Sequence, residues 1–129
     1  MVKKKEIQKQ VTTILSEVSS IIENPDNWTQ CAMAKDENNE PVDIDDPKAT
    51  KYCLLGALWI VGTESNISNH SFNIAKHTIS RTLIDKGKIT DPCFFVPEHV
   101  EENIESFNDD SETTHEDVIN ILKEIIAKH

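Results

Sequence analysis

The arrangements of acids, histidines and cysteines in this sequence that could do acid–base or nucleophilic work are few, and each needs a fold to assemble it. Carboxylates at Asp36 and Asp109, with the imidazole of His115, would supply a general base and its helper, the parts of a small hydrolase or transferase. Cys93 and His99 would make a nucleophile and base only where the fold joins them. Nothing in their spacing requires it. Trp28 follows a helix-stopping Asn24-Pro25, so its ring either completes a core or walls a pocket. Asn108 and Asp109 stand between two helical patterns, where they either satisfy backbone groups or face a ligand.

Metal motifs fail on detail. Asp36-x-Asn38-x-Glu40 begins like a calcium loop, but Pro41 takes the place of the essential glycine and Pro47 that of the final acid. Asp43, Asp45 and Asp46 could pair carboxylates around Mg²⁺, yet Asp46 before Pro47 reads as a helix cap. His115-Glu116 opens like a zincin helix, but Ile119 stands where the second histidine belongs. His70 and His77 lie two helical turns apart, ~10 Å, too far to share one ion. The cysteines, 31, 53 and 93, form no CxxC pair, and Cys53 sits in an apolar run as a small buried hydrophobe. No cofactor and no metal are expected.

What must position these residues is a helical body. The 129 residues, 37% of them hydrophobic, suit one domain over 1–129, and only 3 glycines disfavour phosphate loops and turn-dense β architectures. Ile7, Val11, Ile14, Leu15, Val18, Ile21 and Ile22 trace one face of a first helix. Thr29 to Lys35 and Glu40 to Ile44, flanking Asp36-Glu37-Asn38-Asn39, predict a small β-hairpin near 29–44. Asp46-Pro47 then predicts the start of a helix over 47–61 that is apolar on every side and so buried at the centre, with Gly62 as its C-terminal cap. Phe72, Ala75, Ile79 and Leu83 mark a third helix ending at Gly87, with Asn73, His77 and Arg81 on its polar side. Pro97 opens a short fourth helix burying Val100, Ile104 and Phe107. Thr113 and Glu116 form a capping box for a fifth, with Val118, Ile121, Leu122 and Ile125 inward. The expected fold class is mainly α, about five helices around a buried central helix, with one small β-hairpin.

Charge narrows the partners. The formal net charge is −10, with four lysines in residues 1–10 and nine acids but no Lys or Arg in residues 98–117. A face that acidic repels phosphate backbones, so nucleic acid is not an expected partner. Lys76, Arg81, Lys86 and Lys88 lack interleaved aromatics and read as a solvated helix face. No apolar run approaches the ~18 residues of a membrane span, and the lysine-rich start leads into an amphipathic pattern, so a cytoplasmic protein away from membranes is expected.

The blocks Trp28-Thr29-x-x-Ala32-x-Ala34-x-Asp36, Val42-Asp43, Asp46-Pro47-x-Ala49, Cys53-x-x-Gly56-Ala57-Leu58 and Asn108-Asp109 with Thr114-x-x-Asp117-Val118 resemble a family of small proteins of unknown function from bacterial and phage genomes. The resemblance runs over roughly residues 15 to 128. It departs at Phe107, where that pattern has Trp, and at Cys31, where it has Gly. The resemblance implies a bacterial or phage setting, and that Trp28, Asp36, Cys53 and the Asn108-Asp109 turn belong together.

The resulting expectation is a non-enzymatic binding protein, of phage accessory or counter-defence type by analogy. It engages a small molecule or host protein through a cleft of Trp28, Thr29, Asp36, Asn108, Asp109 and Thr114, or through the acidic face 98–117. Two alternatives stand beside it. One is the Asp36/Asp109 and His115 enzyme. The other is a homodimerisation or interaction module using the apolar excess at Trp59, Ile60 and Phe94-Phe95.

Overall fold

The computed structural model describes residues 4–64, 67–88 and 99–128. Cys93, Phe94-Phe95, the 92–96 stretch and the Pro97 helix start lie outside the described residues.

The apolar stripe of the first segment folds as α1, Lys4–Ile22, with Val11, Ile14, Leu15, Val18 and Ile22 buried. It stops ahead of Pro25, as the ring's missing N–H requires. The Asn24 side chain accepts the Asp26 N–H at 2.9 Å and caps a single 3-10 turn over Pro25–Asn27. The chain leaves that turn extended at Trp28.

Three two-residue strands follow: β1 Ala34–Lys35, β2 Pro41–Val42 and β3 Lys51–Tyr52. They form an antiparallel sheet in the order β2-β1-β3, with Ala34 opposite both Val42 and Tyr52. The hairpin is therefore real but shorter than the sequence suggests, and it carries a third strand. Asp36 builds its turn: Asp36 Oδ1 accepts the N–H groups of Asn38 and Glu40 at 2.9 and 3.0 Å, and Asn39 adopts a left-handed φ of 65°. Pro41 is tolerated because β2 is an edge strand.

The third strand corrects the start of the central helix. Residues 47–53 are not helical. Asp46 Oδ1 accepts the Lys48 N–H at 2.8 Å and Asp46 O accepts that of Ala49 at 3.0 Å. This is a turn with proline at its second position, a role Asp-Pro fills as readily as a helix start. The helix α2 begins at Leu54 and runs to Glu64. Leu54, Leu55, Gly56, Ala57, Leu58 and Val61 are buried, so its place inside the core matches the sequence reading. Gly62 is not its cap but an interior residue, and a Cβ there would lie 2.8 Å from the Phe72 ring.

Helix α3, Asn69–Asp85, is capped by the Ser68 side chain, which accepts the Ser71 N–H. It ends at Gly87 (φ 70°), where the N–H groups of Gly87 and Lys88 reach back to Ile84 O and Leu83 O, a Schellman ending. Helix α4 spans Val100–Asp109 and α5 spans His115–Lys128. The α5 cap lies one residue later than the Thr113/Glu116 expectation. Thr114 N–H meets Asp117 Oδ2 at 3.0 Å, and Asp117 N–H meets Thr114 Oγ1 at 3.1 Å. The Thr114 backbone N–H holds the Asp117 carboxyl below the ordinary carboxylate range, which keeps the cap ionised. Helix α1 packs on α2, α3 and α5, while α3 also meets α4 and α5, which places the core between them.

One approach is tighter than side-chain packing allows. A Cβ on Gly56 would stand 2.1 Å from Met33 O, because the first turn of α2 rests directly on the backbone before β1. Backbone atoms cannot rotate away as a side chain can. Gly56→Ala is therefore expected to cost at least about 3 kcal/mol. Gly62→Ala meets the buried Phe72 ring, which can shift where backbone cannot, and gains helix propensity, so its cost should be smaller, about 1–2 kcal/mol. Urea denaturation of the two variants checks the order.

Candidate functional site

Between the 28–31 segment and the α4–α5 junction, one side-chain amide organises the predicted residues. The extended chain at Trp28 pairs with Tyr52 as a parallel bridge, and Thr29 N–H donates to Tyr52 O at 3.1 Å. This aims the Trp28 indole at the last turn of α4. There Asn108 is fully buried. Its Oδ1 accepts from Trp28 Nε1 at 2.7 Å and from the Leu54 N–H at 3.0 Å. Its Nδ2 donates to Thr29 O at 3.0 Å and Asp109 Oδ1 at 2.9 Å. Two acceptor positions and two donor hydrogens are all used.

Leu54 is the first residue of α2, so its N–H has no partner within the helix. Asn108 supplies that partner from across the molecule. Cys53 assists, its carbonyl accepting from Ala57 N–H at 2.9 Å and its Sγ from Gly56 N–H at 3.2 Å. Burial pushes the Cys53 thiol up to about 11, which leaves it protonated and unreactive at neutral pH.

Asp109 turns the other way. Its Oδ1 also accepts the Cys31 N–H at 2.8 Å, which helps hold Cys31 at a left-handed φ of 67°. Gln30, which no sequence motif singled out, donates Nε2 to Asn108 O at 2.8 Å and Asp110 O at 2.9 Å. It thereby covers carbonyls that the end of α4 would leave unpaired. His115 places Nε2 2.6 Å from Ile22 O, the last carbonyl of α1. A carbonyl only accepts, so this nitrogen carries the proton. The His115 ring also lies against Trp28, with centroids 5.8 Å apart.

Of the six predicted site residues, the structure joins Trp28, Thr29, Asn108 and Asp109. Thr114 caps α5 beside His115, and Asp36 bonds within its own hairpin turn. His115, Asp36 and Asp109 engage three separate backbone stretches, and no described hydrogen bond links the imidazole to either carboxylate. The acids after residue 98 are also largely engaged. Glu101 meets Lys76 at 2.6 Å, Glu102 meets His99 at 2.6 Å, and Asp110 accepts the Glu112 N–H. Trp59 is half-buried against Phe72, with the Lys76 ammonium over both rings.

A family described as one of unknown function, DUF6197, matches residues 6–128. The chain belongs to that family. No curated protein and no solved structure matches this DUF6197 chain. Its chemistry must be read from its own surface.

A concavity lies elsewhere, an open groove of about 1170 Å³ beside the sheet and the end of α2. Ile21, Met33, Val42, Ile44, Tyr52 and Ile60 line it, all half-buried. Asp43, Asp45, Asp46 and Glu64 also line it, and no lining residue among those described is Lys, Arg, His, Cys or Ser. Burial, reinforced by the charge of Glu64, raises the Tyr52 phenol above its ordinary value, so it offers a neutral hydroxyl. The sequence grouped Asp43, Asp45 and Asp46 as paired carboxylates and marked Ile60 separately. It gave no sign that the acids and Ile60 share a surface, because that depends on the turn at Asp46-Pro47.

Asn108→Ala leaves the Trp28 indole, the Leu54 N–H and the Thr29 carbonyl without their partner and should cost about 3–5 kcal/mol. Asn108→Asp keeps the acceptors but loses the donor to Thr29 O and faces Asp109, so it should also destabilise, by about 2 kcal/mol or more. Urea unfolding followed by tryptophan fluorescence measures both. Cys31→Gly should stabilise by about 0.5–1 kcal/mol, since glycine adopts positive φ without strain. Thermal denaturation tests that gain.

Proposed function

We propose that this DUF6197 protein is a non-enzymatic binding protein whose working surface is the groove lined by Met33, Val42, Ile44, Tyr52 and Ile60. The observation that carries this reading is the lining itself. A half-buried apolar floor with carboxylates beside it offers burial and charge to a ligand. Its described lining holds no cysteine, serine or histidine to attack one. The Trp28/Asn108 cleft has less to offer, because every hydrogen-bonding position of the Asn108 amide is taken from within. The enzyme reading has less support too, since Asp36, Asp109 and His115 are each committed to separate backbone groups. The setting we take for this binder is the cytoplasm of a bacterial or phage-infected cell, with a small molecule or host protein as partner.

Titrating ¹⁵N-labelled protein with fractions of a bacterial extract containing metabolites and peptides tests the reading. Amide shifts at Val42–Asp46 and Ile60–Glu64, with a raised Tm and no new product by mass spectrometry, are expected. Product accumulation, or the absence of groove shifts with every fraction, would overturn it.

A further inference from the structure

Resting on the binding reading above, we infer that the groove takes a basic amphipathic peptide segment of a partner protein, its apolar residues on the floor and its Lys or Arg side chains against the acids. Charge complementarity argues for this occupant. The side chains of Asp43, Asp45 and Glu64 are exposed and meet no cation and no hydrogen-bond donor among the described residues. On α4 and α5, by contrast, Glu101, Glu102 and Glu124 sit on Lys76, His99 and Lys86, while Glu105 and Glu116 are exposed acids that take no part in the described lining of this apolar groove. The neighbouring Lys48 makes no ion pair with these acids among the described residues, and it lines a separate small cavity with Asp36.

Size and shape select a peptide over a small cation. The groove, about 1170 Å³, exceeds the roughly 300–1,000 Å³ of a typical small-molecule site. It is also open to solvent along one side, so a small ligand would remain largely wet. A peptide helix or strand laid along it would cover Ile44, Tyr52 and Ile60 together, burying area that a polyamine lacks the apolar surface to match. The carboxylates would add steering and register to affinity that the apolar contact supplies.

The probe is a fluorescent synthetic helical peptide of leucine and lysine, read by anisotropy against a leucine and glutamate counterpart. Two triple variants with equal change in net charge are compared. One is Asp43→Asn/Asp45→Asn/Glu64→Gln in the groove, leaving Asp46 to its turn. The other is Glu105→Gln/Glu112→Gln/Glu116→Gln on the α4–α5 side. All six positions are exposed, and circular dichroism verifies that both variants stay folded. The lysine peptide should bind wild type and the second variant alike, weaken at least about tenfold on the first, and weaken as salt rises. Equal weakening by both variants would reduce the effect to net charge and overturn the inference. So would equal binding of the glutamate peptide, unchanged binding by the groove variant, or spermidine competing as well as the peptide. If groove amides instead shift with an uncharged or acidic ligand, the binding reading stands and this assignment of its ligand falls.

Discussion

The side-chain amide of Asn108 is the constraint on which the architecture turns. Within one buried group it joins the segment after α1, the start of α2 and the end of α4. A buried amide with every position filled contributes modestly in net terms, but leaving its partners unsatisfied is expensive. That asymmetry fixes geometry more sharply than apolar contact does. Burial of Leu54, Leu58, Ile104 and Leu122 is non-directional in its driving force, whereas four hydrogen bonds to four separate atoms each demand a distance and an angle.

Around this point the chain spends unusual local conformations. Cys31 takes a left-handed backbone, and Gly56 lets α2 rest on the Met33 carbonyl, which also accepts the Cys53 N–H at 3.2 Å. Both bring the 29–35 strand segment hard against the helix it precedes. The sheet is too small to stand alone, with three strands of two residues each. It persists because its β3 edge is tied to Trp28 and Thr29 while β1 leans on α2. The groove is the outer side of the same arrangement, since the turn at Asp46-Pro47 that returns the chain to β3 also presents Asp43 to Asp46 along its rim.

The helices were legible because their signals are periodic and local. Val11 to Ile22 and Phe72 to Leu83 each bury one stripe, and the all-apolar Leu54 to Val61 lies inside the core as its composition requires. Boundaries were less so. Asp46-Pro47 carries the same residues whether it opens a helix or a turn, and only pairing of Lys51 and Tyr52 with β1 decides between them. The α5 cap moved by one residue because Thr113 and Thr114 are each followed three positions later by an acid. At the candidate site, Trp28, Thr29, Asn108 and Asp109, named together from the sequence, meet through hydrogen bonds of the Asn108 amide. Asp36 was grouped with them through the resemblance, but its carboxylate serves the hairpin. What no local pattern contained was saturation: whether an amide faces a ligand or its own backbone depends on partners 54 and 80 residues away.

The late position of Asn108 bears on how the protein is born. During synthesis, residues up to α3 emerge with the hydrophobic α2 complete in sequence but with its first N–H still hydrated and the Trp28 indole unanchored. Only when the chain has passed α4 and cleared the ribosomal tunnel does the closing group arrive. Until then a strongly apolar helix waits without its lock, so closure of this domain follows the emergence of α4 rather than that of α2.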